Sequence, residues 1–313
     1  MEIKLKPGPA KPKYHPALVS FAFSLTLTSS ALALADDRTP ITISIQATLP
    51  TLGYSIYNDI QSIEYSTNNS IIPKLSIQRG GLGGSYGTST GRLDDDIALD
   101  TRSRDFQGFY YFDKIGLDFY YQEYRGYYID KEPVLSEDYF PDLAARTYTL
   151  NYYHKISGSN KMSAMSTAIP STRTISTLYY AMASISNRSL QSSKTFIPAA
   201  NSSAFPAIDT LNSFHIVNAS LSAGLYVPVH INKWYFNTGL AVGLGTPITR
   251  FSDDIKSDYS VKVNIKASMG YASKKFQFGM DVSNDSDAFE LISQDTIQFH
   301  SIRVNFILIS YTF

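Results

Sequence analysis

The chain has no cysteine and only one tryptophan among its 313 residues. Without cysteine it has no disulfide framework, no thiolate metal site and no cysteine-linked lipid anchor. The 27 basic residues are balanced by 27 acidic ones, so no positive excess favours a nucleic-acid partner. Hydrogen bonds and burial alone have to hold such a chain together.

Long apolar runs are also scarce. One mostly apolar stretch, residues 17–35, follows a segment with four lysines (residues 4–13) and ends Ala-Leu-Ala. This order is typical of a secretory signal peptide, so we expect export and cleavage near Ala35; an uncleaved anchor helix is the alternative. No later stretch approaches 18 consecutive apolar residues, so no helical span is predicted in residues 36–313.

The chain is rich instead in tyrosine, with 23 residues, and in strict alternation. In "YSVKVNIKASMGY" (Tyr259–Tyr271) the odd positions are apolar and the even positions are polar or small. A period of two predicts an extended strand with two different faces. Such a strand either covers the core of a soluble sheet or separates lipid from a wet lumen.

The same alternation recurs, and the connections separate these two readings. Short turns such as "DK", "GSN", "HINK" and "ASK" alternate with long polar loops such as 91–103 and 187–212. Short turns at one end and long loops at the other are typical of outer-membrane barrels. The predicted strands cover residues 41–48, 54–66, 74–90, 104–112, 115–129, 144–157, 161–186, 213–229, 234–250, 259–271, 275–284 and 297–313.

We therefore predict an all-β fold, a transmembrane antiparallel up-and-down β-barrel of about twelve strands, formed by residues 36–313 in the bacterial outer membrane. Ten or fourteen strands are the alternatives, because the stretch 161–186 contains Pro170. The connection near residues 49–53 is the one exception to the alternation of short turns with long loops. The loop 187–212, rich in Ser and Asn, is expected to be extracellular and mobile.

The last strand combines an aromatic end with a break in alternation. Tyr311 and Phe313 resemble the C-terminal signal that the barrel-assembly machinery reads, and deleting Phe313 should impair assembly more than any loop truncation. Counting back from Phe313, the lipid-facing parity reaches Arg303. A β-bulge within residues 306–309 would turn Arg303 into the lumen, and we predict that bulge. The alternative is a regular strand with Arg303 at the outer interface.

"DFYYQEYRGYY" (Asp118–Tyr128) resembles a motif of an uncharacterised outer-membrane barrel family, the domain-of-unknown-function family numbered 4421. The stretches "DFQGFYYFD" and "LNYYHKISGSNKMSAM" are similar in style, whereas the sequence after Ala168 lacks the Gln- and Lys-rich pattern of that family. The resemblance implies a barrel fold and an outer-membrane location. It assigns no catalytic residue.

The polar parity of the strands predicts the wall of the lumen. Its mixed charges indicate an interior cross-linked by hydrogen bonds rather than a strongly ion-selective pore. If Tyr271 faces Phe276, Lys266 lies directly opposite Asp281 across the hairpin. The predicted wall residues are Asp118, Gln122, Asn151, Asn237, Lys262, Asn264, Lys266 and Asp281.

No residue pattern assigns a catalytic, cofactor or metal site. The four later histidines, at 154, 215, 230 and 300, form no sequence-local nucleophile–base pair. "RGGLGGSYG" (79–87) lacks a phosphate-loop spacing and is interpreted as strand glycines. The acidic groups Asp94–Asp96 and Asp285 with Asp287 are interpreted as solvated loops rather than cation sites.

The predicted function is a narrow channel or a structural or surface-interaction barrel without enzymatic activity. A barrel hydrolase acting on lipid is the alternative. The expected partners are outer-membrane lipid and the barrel-assembly machinery.

Overall fold

The computed structural model describes residues 41–67, 71–91, 101–129, 138–165, 174–206, 208–250, 259–273, 275–290 and 295–313. The predicted signal peptide and the acidic group Asp94–Asp96 lie outside these ranges. Within them, no helix is long and apolar enough to cross a membrane. The strands are β1 (Ile41–Tyr57), β2 (Ser62–Ser66), β3 (Ile72–Arg79), β4 (Leu82–Gly91), β5 (Thr101–Tyr111), β6 (Ile115–Ile129), β7 (Tyr139–Ser157), β8 (Thr174–Ile175), β9 (Leu178–Gln191), β10 (Ser213–Ile231), β11 (Trp234–Arg250), β12 (Ser260–Ala272), β13 (Phe276–Glu290) and β14 (Thr296–Thr312).

Twelve of these strands form a closed antiparallel ring, which confirms the predicted fold class and strand number. Consecutive ring strands pair with each other, and β14 pairs with β1 to close the ring. Two short strands lie off the ring path: β2 bridges β1 and β6, and β8 pairs with the end of β10. Closure leaves no free sheet edge, as a membrane-spanning sheet requires.

The outer face of the ring is apolar and exposed. Along β11, Trp234, Phe236 and Leu240 are 45–48 % exposed, whereas the intervening Tyr235 and Asn237 are buried. Strands on all sides of the ring repeat this pattern, with polar or tyrosine side chains inside. A soluble protein does not expose apolar side chains around its whole circumference, because water penalises such a surface. The fold is a transmembrane β-barrel.

The first third of the chain divides differently from the prediction. β1 continues through residues 49–53, so the predicted strand 54–66 is wrong: its first residues belong to β1 and its last form β2. The predicted strand 74–90 is also wrong, because it is the hairpin β3–β4 with its turn at Gly80 and Gly81. Gly80 has a φ of 58°, which a glycine adopts without strain. The two errors cancel in the strand count.

The predicted strand 161–186 is wrong over its first part. Met162–Met165 form a 3-10 turn, and regular ring pairing begins only at Leu178 in β9. Residues 166–173, including Pro170, lie outside the described parts of the chain.

The β12–β13 register differs from the prediction by two residues. Tyr271 faces Phe278 rather than Phe276, so Lys266 faces Ser283 and Asp281 faces Ser268. The physical reason is a tighter turn than expected. Ser273 donates its backbone N–H to the carbonyl of Phe276 at 2.7 Å and also bonds it through its hydroxyl. The faces stay unchanged because the shift is even, but the predicted direct Lys266–Asp281 pair is wrong.

The predicted bulge in β14 is confirmed. The register of β14 shifts by one residue against both β1 and β13 within residues 307–310. Below the bulge Tyr311 and Phe313 are exposed on the outer face, and above it Ile302 and Phe306 take that face. Arg303 is consequently buried inside, at 6 % exposure.

The hairpin turn at Gly81 gives a direct test of the β3–β4 assignment. A Cβ on Gly81 would lie 1.9 Å from the carbonyl oxygen of Tyr111, so Gly81→Ala has to displace backbone. We expect a loss of about 1–3 kcal/mol in the free energy of unfolding, measured by urea titration in lipid vesicles. Gly108→Ala is the control, since its Cβ would meet only the Phe106 ring at 3.8 Å. Equal effects of both variants would contradict the turn.

Candidate functional site

The lumen contains a cavity of about 540 Å³ in the half nearest the short turns. It extends to the turn end, where Gly80, Ser273 and Thr312 line it. Deeper inside, most of the lining residues are polar, with tyrosine rings between them. The 3-10 turn Met162–Met165 lies against this wall, and Tyr226 donates its hydroxyl to the carbonyl of Ala164 at 3.3 Å. The cavity has the size of a small-molecule site.

Behind the part of the wall that Tyr111, Tyr120 and Lys266 line lies one buried carboxylate, Asp118 of β6. One oxygen accepts the hydroxyl of Tyr111, and the other accepts Tyr120 and Tyr153 at 3.0 Å each. Lys266 of β12 reaches the same oxygen at 3.1 Å from across the lumen, with its ammonium 5.4 Å from the Tyr153 ring centre. Asp118 has no exposed surface. Three hydroxyl donors and one cation therefore replace the water that an ionised carboxylate loses on burial.

Further along the lumen, a second level of polar contacts joins adjacent strands and strands that do not pair directly. Lys74 and Asp105 form a buried ion pair at 2.9 Å. Asn305 donates to Asp281 at 2.5 Å, and Arg303 lies 4.5 Å from the centre of the Tyr120 ring. These contacts cross-link β3 with β5, β13 with β14, and β14 with β6.

A third level, toward the long loops, is a layer of four buried charges. Arg188 of β9 donates to one oxygen of Asp287 through Nε at 2.9 Å and through an NH2 group at 2.6 Å. Lys262 of β12 lies 3.0 Å from Asp285 and 3.6 Å from Asp287. The two cations balance the two carboxylates. We call Arg188, Lys262, Asp285 and Asp287 the charge layer.

Beyond the charge layer the lumen is filled by apolar and aromatic side chains. Tyr54 stacks on Tyr65 with ring centres 4.4 Å apart, and Phe299 packs against Tyr54 and Phe289. Part of this cluster comes from the connection between β9 and β10, residues 192–212, which we call the plug loop. Phe196, Ile197, Phe205 and Ile208 of the plug loop are each at most 2 % exposed.

Polar contacts attach the plug loop to the barrel. Tyr65 donates its hydroxyl to the carbonyl of Phe196. Asn58 donates to the carbonyl of Ala204 at 2.8 Å, and Asp142 accepts the backbone N–H of Ser193 at 2.5 Å. The prediction that residues 187–212 form a mobile loop is therefore wrong. Its first residues belong to β9, and four of the five large apolar side chains of the plug loop are buried.

The predicted wall residues all point to the inside of the ring, at different heights. Asp118 and Lys266 meet at the cavity, Lys262 lies in the charge layer, and Asp281 bonds Asn305. The amides make cross-strand hydrogen bonds: Gln122 with Ser301 at 3.0 Å, Asn151 with Ser184 at 2.6 Å and Asn237 with Ser268 at 3.0 Å. Asn264 is buried at 7 % exposure beside them.

Sequence reasoning missed three of the four residues of the charge layer. Arg188 was assigned to a loop, and Asp285 with Asp287 was interpreted as a solvated group; both interpretations are wrong. The outward-facing positions near the end of β13 are Asn284, Ser286 and Ala288. Because none of them is a large apolar residue, the alternation that predicts a strand is lost before β13 ends. The inward-facing positions could have been predicted, because Asp285 and Asp287 each lie an even number of positions after Asp281 and so lie on the same face of the strand.

Three of the four later histidines lie on or near the outer surface, whereas His230 has the inner parity of Tyr226 and Tyr235 at the turn end. His154 is exposed beside Tyr152, and His215 contacts Asn187 at 2.7 Å. His300 lies between two serine hydroxyls, with Ser55 3.4 Å from Nε2 and Ser286 3.5 Å from Nδ1. A hydroxyl thus occupies the position where a hydrolase triad has a carboxylate or amide.

Residues 35–312 match the family described as Domain of unknown function (DUF4421). The chain belongs to this family. No curated protein matches the sequence.

Several solved structures resemble the DUF4421 barrel remotely. The toluene transporter TodX of Pseudomonas putida is 10 % identical, with 90 % of this chain and 91 % of that chain covered and a TM-score of 0.30. The COG4313 outer membrane channel from Pseudomonas putida F1 is 10 % identical, with 89 % and 97 % covered and a TM-score of 0.28. OmpT, an outer membrane protein of Vibrio cholerae, is 10 % identical, with 90 % and 99 % covered and a TM-score of 0.18. Likenesses this remote carry no information about function.

The Asp118 cluster predicts a measurable coupling across the lumen. Asp118→Ala leaves the Lys266 ammonium without its carboxylate, so we expect a loss of about 3 kcal/mol in the free energy of unfolding. Asp118→Asn combined with Lys266→Gln should recover part of it, because no charge is left unpaired. Asp281→Asn, which breaks no ion pair among the described residues, should cost about 1 kcal/mol or less. Additive losses for the two partners in a double-mutant cycle would contradict the coupling.

Proposed function

We propose that this chain is an outer-membrane channel for a small polar solute, closed at rest by its plug loop. The apolar exterior, the short turns at one end and the long loops at the other support an outer-membrane location with the turn end in the periplasm. In that orientation the 540 Å³ cavity is a periplasmic vestibule and the plug loop closes the outer mouth.

One observation carries the proposal. The apolar barrier at the mouth is contributed partly by a connecting loop, whereas the ring strands continue past it. A barrier carried by ring strands could be removed only by breaking ladder hydrogen bonds. The plug loop can leave by giving up its burial and its hydrogen bonds with Tyr65, Asn58 and Asp142, with every ring pairing intact.

The charge layer is the second element of the path. Its two cations and two carboxylates lie between the vestibule and the plug, on β9, β12 and β13. Paired charges of both signs give little net preference for cations or anions. They favour a solute that can exchange hydrogen bonds with both, such as a zwitterion or a sugar.

Lipid hydrolysis, the other activity considered, has weaker support. Ser55 is only 7 % exposed, and the histidine beside it is oriented by Ser286 rather than by an acid or amide. A hydroxyl holds an imidazolium less well than a carboxylate does.

The channel proposal is tested by single-channel recording in planar bilayers. The wild-type barrel should be closed most of the time. A variant in which residues 194–209 are replaced by a Gly-Ser linker of equal length should show frequent stepwise currents, because the plug side chains are gone. A variant with residues 131–136 replaced in the same way is the control and should remain closed.

Two results would contradict the channel proposal. A correctly folded plug variant without currents would indicate a structural or surface-interaction barrel. A wild type as conductive as the plug variant would show that the plug loop is not the barrier. Fatty-acid release from phospholipid that disappears in Ser55→Ala would favour the hydrolase instead.

A further inference from the structure

The outer face of β5, β6 and β7 carries a cluster of basic residues at the loop end. Arg102 of β5 and Arg125 of β6 are direct cross-strand partners, and both are exposed. Like charges in facing positions destabilise a sheet. Within the parts of the chain that the structure describes, neither arginine has a carboxylate partner.

The row below contains the only acid that faces this cluster among the described residues. Glu123 of β6 is the cross-strand partner of both Arg104 and Arg146. It lies 3.5 Å from Arg104 and 3.0 Å from Arg146. Four arginines thus share one glutamate on a surface that faces outward from the barrel. We call Arg102, Arg104, Arg125 and Arg146 the arginine face.

Aromatic residues fix the height of the arginine face relative to the membrane. The next row toward the turns holds Phe106, Tyr121 and Tyr148, and the two tyrosine rings are 4.8 Å apart. Phe119 and Leu150, both exposed, follow in the row beneath. Tyrosine is typical of the membrane–water interface, and successive rows are about 6.6 Å apart along a strand. The arginines therefore lie one to two rows above the acyl boundary, at the level of lipid headgroups.

Among the described residues, the arginine face occupies one side of the barrel. At a similar height on β13, β14 and β1, outward residues such as Ser286, His300 and Ser55 are neither lysine nor arginine. A general preference of the rim for basic residues would distribute them around the ring. Clustering on three adjacent strands favours one bound anion of defined size.

We propose that the arginine face binds the phosphorylated sugar headgroup of an outer-leaflet lipid of the lipid A class. Guanidinium groups bind phosphate oxygens through two parallel N–H donors, and here they occupy two rows on neighbouring strands, which suits two phosphates on one headgroup. The acyl chains lie over the Tyr121, Phe119 and Leu150 surface. The proposal rests on the membrane orientation given under the proposed function and is independent of conduction.

Four aspartates of the same chain are alternative partners for the arginines, in place of lipid phosphates. Asp94, Asp95, Asp96 and Asp100 precede Arg102 in sequence, outside the described residues. If these acids neutralised the face, replacing all four with Asn would increase lipid binding severalfold. If the lipid is the partner, that replacement changes binding less than twofold.

Binding is measured with the full-length barrel in phosphatidylcholine nanodiscs containing lipid A, by native mass spectrometry and thermal shift. Arg102→Gln with Arg125→Gln should weaken lipid A binding about tenfold, because two charge-assisted contacts are lost. Lys114→Gln with Lys275→Gln removes the same charge from exposed positions at the turn end and should leave binding unchanged. Gel mobility with and without heating verifies that both variants are folded.

Five outcomes would overturn the proposal. The first four are unchanged binding in the arginine variant, equal binding of dephosphorylated lipid A, equal binding of phosphatidylglycerol, and a severalfold gain on neutralising the four aspartates. Displacement of lipid A by an equal concentration of inorganic phosphate would point to a free-phosphate site and would also overturn it. A barrel that binds lipid A but never conducts would contradict the channel alone.

Discussion

The pairing of β14 with β1 is the interaction on which the other features of this barrel depend. In hydrocarbon an unpaired backbone N–H or C=O has no water to bond, so a sheet in a membrane has to be closed. The ladder from Thr42–Thr312 to Tyr57–Thr296 provides that closure, and the one-residue bulge lies within it. Without the bulge, one half of β14 would place Arg303 in lipid or Phe313 in the lumen. The extra residue lets one strand satisfy both faces.

Closure of the ring also places charged side chains inside the barrel, where they need partners. Twelve strands with polar inner faces bring charged side chains together away from bulk water, where each one is costly unless paired. The barrel pairs them at successive heights: Asp118 with Lys266, Lys74 with Asp105, and the four residues of the charge layer. Nearer the mouth, aromatic packing replaces ion pairs, and the plug loop contributes to it. The half nearest the short turns keeps a cavity.

The fold class could be predicted from the sequence because period-two alternation is a local signal that closure does not alter. β12 shows this, since each of its residues keeps its predicted face. Register and partners are not local. The β12–β13 register depends on how tightly Ser273 closes its turn, and a shift of two residues preserves every face while exchanging every partner. Lys266 therefore remained an inner residue and changed its carboxylate from Asp281 to Asp118.

Two other errors have similar causes. The glycine pair at residues 80–81 was interpreted within a long strand, because glycine suits both a strand wall and a hairpin turn; the contact with Tyr111 that requires it comes from a distant strand. The plug loop lacks periodicity, and only its five large apolar residues indicated that it would be buried. Arg188 was assigned to that loop for the same reason. Neither its strand nor its partner Asp287 could be identified before β9 and β13 were placed in one ring.

The two-faced strand is the central claim, and the absence of cysteine allows a direct measurement of it. Each residue from 261 to 271 can be replaced singly by cysteine and labelled with a nitroxide, because no other thiol competes. In lipid vesicles, spin relaxation by oxygen reports contact with hydrocarbon, and relaxation by a polar nickel chelate reports contact with water. The account predicts high oxygen accessibility at Val261, Ile265 and Met269 and low oxygen accessibility at Lys262, Asn264 and Lys266. Oxygen accessibility that is uniform along the strand, or highest at the even positions, would contradict it.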